Sequence, residues 1–127
     1  KPRDAALNTY AADFMERAAR FCPCEVREIK PDRFDARAKH PTALKIGLDP
    51  AGKTMDSGAF SQLFAAGDRD LVFLIGAHEG LTAAQRGQMD RLLSLSPMTF
   101  SHELARAVLA EQIFRAFAML RNHPYVR

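Results

Sequence analysis

Apolar residues recur at spacings of three and four over residues 5–21, placing Leu7, Tyr10, Ala11, Phe14, Met15 and Ala18 on one face of a helix that Asp4 can cap. Pro23 ends that helix, and Cys24 to Ile29 reads as a short strand of imperfect alternation. Between 30 and 42 the pattern turns polar, with Lys30, Arg33, Arg37, Lys39 and two prolines, which describes a solvated connector. Alternation returns from Ala43 to Asp49 through Leu44, Ile46 and Leu48, a strand leading into a loop at 49–54 in which Gly52 is the flexible point. A helix carrying Phe60, Leu63 and Phe64 follows at about 57–66. Leu71 to Ile75 is an unbroken apolar run, the form taken by a strand buried on both faces of a parallel sheet, and Gly76 opens the next loop. Thr82 caps a helix through about Asp90, Leu92 to Leu95 forms a final strand, and a loop at 96–101 ends at Ser101, an N-cap residue type. The last helix, His102 to Arg121, carries Leu104, Val108, Leu109, Ile113, Phe114, Phe117 and Leu120, too many for one stripe. Two of its faces are therefore expected to be buried, one of them by a second subunit.

Strands alternating with helices predict an α/β fold with a mostly parallel sheet and flanking helices. At 127 residues, 47% hydrophobic, the chain fits one domain spanning 1–127. In such a sheet ligands sit beyond the carboxyl ends of the strands, which singles out the loops at 49–54, 76–80 and 96–101. A formal charge of +3 is compatible with a polyanionic partner and far below that of a basic nucleic-acid tail. Cys22 and Cys24, in a Cys-Pro-Cys spacing, suit neither an unstrained disulfide nor a structural zinc site and read as reduced thiols of a cytoplasmic protein. His40 and His123 have no ligand spacing with other His, Cys or acidic residues, so no metal site is expected. No apolar run approaches the roughly 18 residues needed to span a bilayer, and the basic, polar start lacks the hydrophobic region of a secretory signal.

Gly47 to Thr54, Gly-Leu-Asp-Pro-Ala-Gly-Lys-Thr, matches the phosphate-loop pattern and follows a predicted strand. Against a nucleotide hydrolase stand Gly76 where the second strand should end in a magnesium-binding Asp, Gly58 inside the expected helix, and the short chain. A glycine turn with a solvated Lys53 is the simpler reading.

The stretches Leu-Asp-Pro-Ala-Gly-Lys at 48–53, Phe-Leu-Ile-Gly-Ala-His-Glu-Gly-Leu at 73–81 and Leu-Ser-Leu-Ser-Pro-Met-Thr-Phe-Ser-His-Glu-Leu at 93–104 continue into Ala-Glu-Gln-Ile-Phe-Arg-Ala-Phe at 110–117 and Asn-His-Pro-Tyr at 122–125. In order and spacing they resemble the RlmH-type family of the SPOUT superfamily, densely over about 44–127. The resemblance implies methylation of the N3 of a pseudouridine in large-subunit ribosomal RNA, on assembled ribosomes, with S-adenosylmethionine as cofactor. It also implies a homodimer and a deep trefoil knot over about 71–127, an exception to the rule that chains do not thread loops. By motif position the cofactor pocket would be lined by Leu48, Gly76, Leu95, Ser96, Pro97, Met98, Thr99 and Phe100. The chain departs from the family at Ala77, Ser101 and Phe114, where a glycine, a proline and a tyrosine are usual, and at Val126, where the family carries a histidine. The last departure raises a second reading, a catalytically impaired relative that keeps cofactor or ribosome binding. The chain also begins at Lys1 without the family's opening strand, which implies a segment missing before it or a trimmed relative.

Attack by pseudouridine N3 requires loss of its proton, which calls for a general base or a stabilising cation. His102 could be that base or a structural hydrogen-bonding residue, and Arg106, one turn onward, could face the pocket, a phosphate or solvent. Tyr125 and Arg127 could approach a phosphate or a base ring, in the partner's site if the dimer is formed. RNA phosphates would be met by Lys53, Arg106, Arg121, Arg127 and the basic connector. His78 and Glu79 are expected to be exposed, and Glu111 to pair with Arg115 four residues on.

Overall fold

The elements of the computed structural model run α1 (Ala5–Ala18), α2 (Ala36–Lys39), β1 (Leu44–Thr54), α3 (Ser57–Ala65), β2 (Leu71–Leu74), α4 (Ala83–Gln88), β3 (Arg91–Ser94), α5 (His102–Leu120) and a 3-10 turn at Pro124–Val126. The structure describes residues 4–30, 33–77 and 79–126. They gather into two compact units: Lys1–Val26 with Asp56–Ala66 and Glu103–Arg127, and Arg27–Met55 with Gly67–His102.

The first unit is helical. Asp4 caps α1 by accepting the Leu7 N–H at 3.0 Å, as its sequence position predicts. The Glu103 carboxylate ties the start of α1 to α5 by accepting from Asn8 Nδ2 at 3.2 Å and from the Asp4 N–H at 3.3 Å. Ala11, Phe14 and Ala18 form the buried stripe of α1, and Phe14 meets Phe114 of α5 at 5.6 Å between ring centroids. Phe117 of α5 lies 5.0 Å from Phe64 of α3 and stacks on Phe21 at 5.9 Å. Such tilted and offset pairs each contribute about 0.5–1.5 kcal/mol beyond the area they bury. On α5 the buried positions (Ala107, Leu109, Ala110, Ile113, Phe114, Ala116 and Ala118) are wider than one stripe, as its apolar composition predicts.

The second unit is a three-stranded parallel sheet in the order β2-β1-β3. β2 is thus an edge strand among the described residues, and its Leu71, Val72 and Phe73 are only half-buried, unlike the strand buried on both faces that its apolar run predicts. The central place belongs to β1, whose Leu44, Lys45, Ile46 and Gly47 are all buried. β3 begins one residue earlier than its apolar residues suggest. α4 starts with the capping box of Thr82 and Gln85, in which the Gln85 N–H donates to Thr82 Oγ1 at 3.0 Å. It ends at Gln88 rather than at Asp90, because Met89 is extended and the Asp90 carboxylate is engaged by the Lys45 N–H at 2.8 Å.

Two expectations from the polar region are corrected. Residues 24–29 form no strand: Val26 is 56% exposed, and of the apolar side chains there Ile29 packs on the buried cluster of Ala36, Leu74, Leu81 and Met89. The connector is not merely solvated either. Asp35 caps the single turn of α2, Ala36 is fully buried and donates its N–H to Gln88 Oε1 at 2.8 Å, and Arg37 Nη2 donates to the Gly87 carbonyl at 2.7 Å. Among the described residues no helix is long and apolar enough to cross a membrane.

Candidate functional site

The parallel register sends the three candidate loops out of the same end of the sheet. Gly47 pairs with Leu74 and Leu48 with Leu93, so Gly76 falls two residues past the pairing of one neighbour and Leu95 two past that of the other. The sheet therefore brings Leu48, where the regular pairing of β1 is interrupted, to the same end as Gly76 and Leu95, which lie just past the carboxyl ends of β2 and β3, the end at which ligands of open parallel sheets bind.

The first of these segments is not the open loop that 49–54 suggests. Leu93 of β3 is paired with both Leu48 and Lys53, so residues 49–52 are bulged out and the strand then resumes, with Thr54 opposite Ser94. Asp49 Oδ1 holds the bulge by accepting the Ala51 N–H at 2.8 Å. Gly52 lets the chain return against β3, because a Cβ there would lie 2.6 Å from the Leu92 carbonyl carbon and 2.9 Å from the Leu93 nitrogen. This geometry excludes the phosphate-loop alternative. Lys53 and Thr54 sit in strand pairing rather than opening a helix, and the N-terminus of α3 is capped by the Asp56 carboxylate, which accepts the Ala59 N–H at 2.8 Å where a phosphate would have to bind.

In the second segment the chain doubles back through an isolated bridge between Ala77 and Gly80, the Gly80 N–H donating to the Ala77 carbonyl at 2.8 Å. A Cβ on Gly76 would lie 2.3 Å from the Gly80 carbonyl carbon and 2.5 Å from the Leu81 nitrogen, so only glycine fits. Gly80 has φ +88, a second requirement for glycine. In the third segment the buried Ser94 hydroxyl donates to the Ser96 carbonyl at 2.9 Å, and the Met98 N–H donates to Ser96 Oγ at 3.0 Å. Ser96 is thereby an organiser of its own turn, a role that no spacing in the sequence indicates. Leu48, Leu95, Ser96 and Phe100 are half-buried, Pro97 and Thr99 exposed, and Met98 is 75% exposed.

His102 is the exposed first residue of α5 and belongs to the sheet unit. Arg106 and Tyr125 belong to the helical unit; Arg106 is half-buried on α5. Arg127, and His78 in the second segment, lie outside the described residues. Lys53 and Arg121 are exposed, and the Arg121 guanidinium sits 5.7 Å from the Phe21 ring centre.

Tyr125 is held more tightly than its place in the tail suggests. Its hydroxyl donates to Glu111 Oε2 at 2.7 Å, and the same oxygen accepts from Arg115 Nη2 at 2.6 Å, which is the pair expected from their spacing. The ring lies against Phe14 and Phe114, with the Arg115 guanidinium 5.1 Å from its centre. Burial, then the hydrogen bond to the Glu111 carboxylate, pushes the phenol up to about 12. Because the folded value is raised, the stability this contributes is present below the ordinary tyrosine range near 10 and is lost as pH rises towards about 12. An ultraviolet tyrosinate titration is expected to contain a component near 12 that disappears in Tyr125→Phe. A titration identical in the two proteins would refute the assignment.

The chain matches the family model described as "Predicted SPOUT methyltransferase" over residues 1–125. It is 61% identical over 130 residues to the ribosomal RNA large subunit methyltransferase H of Solibacter usitatus, an alignment spanning 100% of this chain and 94% of that protein. It is 38% identical over 134 residues to the protein of the same name in Bordetella pertussis, spanning 91% of this chain and 86% of that one. With the Synechococcus protein of that name it shares 42% identity over 118 residues, 90% of this chain and 82% of the relative.

Proposed function

The chain belongs to the SPOUT methyltransferase family, and on that premise we propose that it methylates the N3 of a pseudouridine in large-subunit ribosomal RNA, on assembled ribosomes in the cytoplasm. The observation that carries this reading is the 61% identity running the whole length of the chain to a ribosomal RNA large subunit methyltransferase. S-adenosylmethionine, when bound, would supply an electrophilic methyl group on a sulfonium. Leu48, Leu95 and Met98 would offer its adenine apolar surface, Gly76 would keep the second segment tightly turned beside it, and the turn of Ser96, Pro97, Thr99 and Phe100 would supply backbone polar groups outside the sheet ladder. The same reading includes a trefoil knot formed by the carboxyl-terminal part of the chain and a homodimer.

Most of the catalytic effect would then be positioning, since methyl transfer needs an in-line nucleophile and exclusion of water. In this proposal His102 takes the N3 proton, and Arg106 and Arg127 hold phosphate or the developing anion. Tyr125, whose phenol stays protonated at neutral pH, contributes its ring and a hydroxyl committed to Glu111 rather than acting as a base.

The test is thermal stabilisation by S-adenosylmethionine and S-adenosylhomocysteine, with magnesium ATP alongside, followed by methyl transfer to ribosomes lacking the modification. A ligand at a hundred times its dissociation constant stabilises by about 2.7 kcal/mol. Both sulfur ligands are expected to raise the melting temperature, ATP to leave it unchanged, and ribosomes to be methylated at pseudouridine. Binding without turnover would overturn the enzymatic reading in favour of the impaired relative, with Val126→His as its direct check. No shift with either sulfur ligand would overturn the cofactor reading itself.

A further inference from the structure

Arg86 projects from the last turn of α4 and reaches two segments at once. Its Nη1 donates to the Leu81 carbonyl at 2.9 Å and lies 3.6 Å from Asp49 Oδ2. Leu81 closes the turn that Gly76 opens, and Asp49 opens the bulge that follows Leu48. One guanidinium thus joins the end of one ligand-side segment to the start of another. Asp49 is the fixed member: its side chain is 13% exposed against 45% for Arg86, and its second oxygen is already held by the Ala51 N–H. The capping box at Thr82 sets where α4 begins, directly after Leu81, so the reach of Arg86 is measured from a rigid base.

We infer that Asp49 and Arg86 are a positioning pair that sets the spacing between the Leu48 and Gly76 segments, and through it the affinity for S-adenosylmethionine. The inference rests on the cofactor reading proposed above. Neither residue is assigned a contact with the reacting atoms. A planar guanidinium can satisfy the Leu81 carbonyl and face the Asp49 carboxylate together, whereas a lysine ammonium at the same position is a single point of charge. Arg86→Lys is therefore expected to restore only part of the effect.

The experiment is calorimetric titration of the whole chain with S-adenosylhomocysteine for the wild type, Asp49→Asn, Arg86→Gln, Arg86→Lys and the double variant Asp49→Asn/Arg86→Gln, each with a melting curve. Each neutral single variant is expected to weaken binding roughly fivefold, the order of one partly exposed charge-assisted contact, and the double variant to be no weaker than the worse single. In ribosome methylation the KM for S-adenosylmethionine should rise while kcat at saturating cofactor stays at the wild-type level, a split that general destabilisation would not give. Wild-type affinity in both single variants, or a double variant whose loss is the product of the two, would overturn the pair. If Asp49→Asn fails to fold, the surface substitution Arg86→Gln alone carries the test. A wild-type protein that does not bind S-adenosylhomocysteine would instead sink the cofactor reading, and the inference with it.

Discussion

Gly76→Ala is expected to weaken S-adenosylhomocysteine binding by about 100-fold and to lower stability by about 2 kcal/mol, the middle of the range for overpacking a filled site. The added Cβ would meet the Gly80 carbonyl carbon at 2.3 Å, the Leu81 nitrogen at 2.5 Å and the Gly80 oxygen at 2.7 Å. All three are backbone atoms. No rotamer change relieves the clash, so the turn that carries the proposed second ligand segment must open. Gly87→Ala is the matched control: a Cβ there has nothing within 4 Å, and the residue lies inside α4. That substitution should stabilise by about 0.5–1 kcal/mol through helix propensity and leave binding unchanged. Equal affinity in Gly76→Ala and wild type, measured by the same calorimetric titration, would mean that the turn does not shape the pocket.

The helices were the most legible part of the chain because their signals are local. The periodicity of α1, the Asp4 cap and the spacing of Glu111 and Arg115 each need only a turn or two of sequence to be read; the cap and the pair hold, while α1 ends at Ala18 rather than at 21 and buries Ala11, Phe14 and Ala18 but leaves Tyr10 47% exposed. The α2 turn escaped because four residues carry no periodicity; its one signal was Asp35 ahead of Ala36, with two residues of reach. The bulge at 49–52 escaped for a different reason. Pro50, Ala51 and Gly52 read as a loop whether or not the chain afterwards rejoins the sheet, and the return at Lys53 depends on Leu93, forty residues away. The same non-locality hid Arg86, whose partners Asp49 and Leu81 meet only when β1 and α4 are side by side. Of the site itself, the segments were readable from glycine, proline and motif order, while the side chains that hold them in place were not.

Lys45 is the clearest case of a misleading pattern, and it carries the second large prediction. In an alternating strand a lysine reads as the solvent-facing position, yet Lys45 is 4% exposed at the centre of the sheet. Its ammonium donates to the carbonyls of His40 at 3.0 Å and Ala43 at 2.7 Å and lies 3.5 Å from Asp90 Oδ2, while the Asp90 carboxylate also accepts the Lys45 N–H. That backbone hydrogen bond, followed by the charge and hydrogen bond of the ammonium, holds the Asp90 carboxyl below its ordinary value. Asp90→Ala leaves a buried ammonium without its carboxylate. The loss expected at neutral pH is about 2 kcal/mol, below the 3–5 of a fully buried pair because the Asp90 side chain is 41% exposed and water can take its place. Replacing both, Lys45→Met with Asp90→Ala, should recover part of that loss by removing the stranded charge. The pH dependence follows from the depressed value: the stability Asp90 contributes is present above the ordinary carboxylate range near 4 and is lost as pH falls through the lower folded value. Urea unfolding of wild type and Asp90→Ala should therefore differ most near neutrality and converge in acid. A difference that stays constant from about pH 7 down to about pH 2 would assign the effect to packing rather than to the carboxylate.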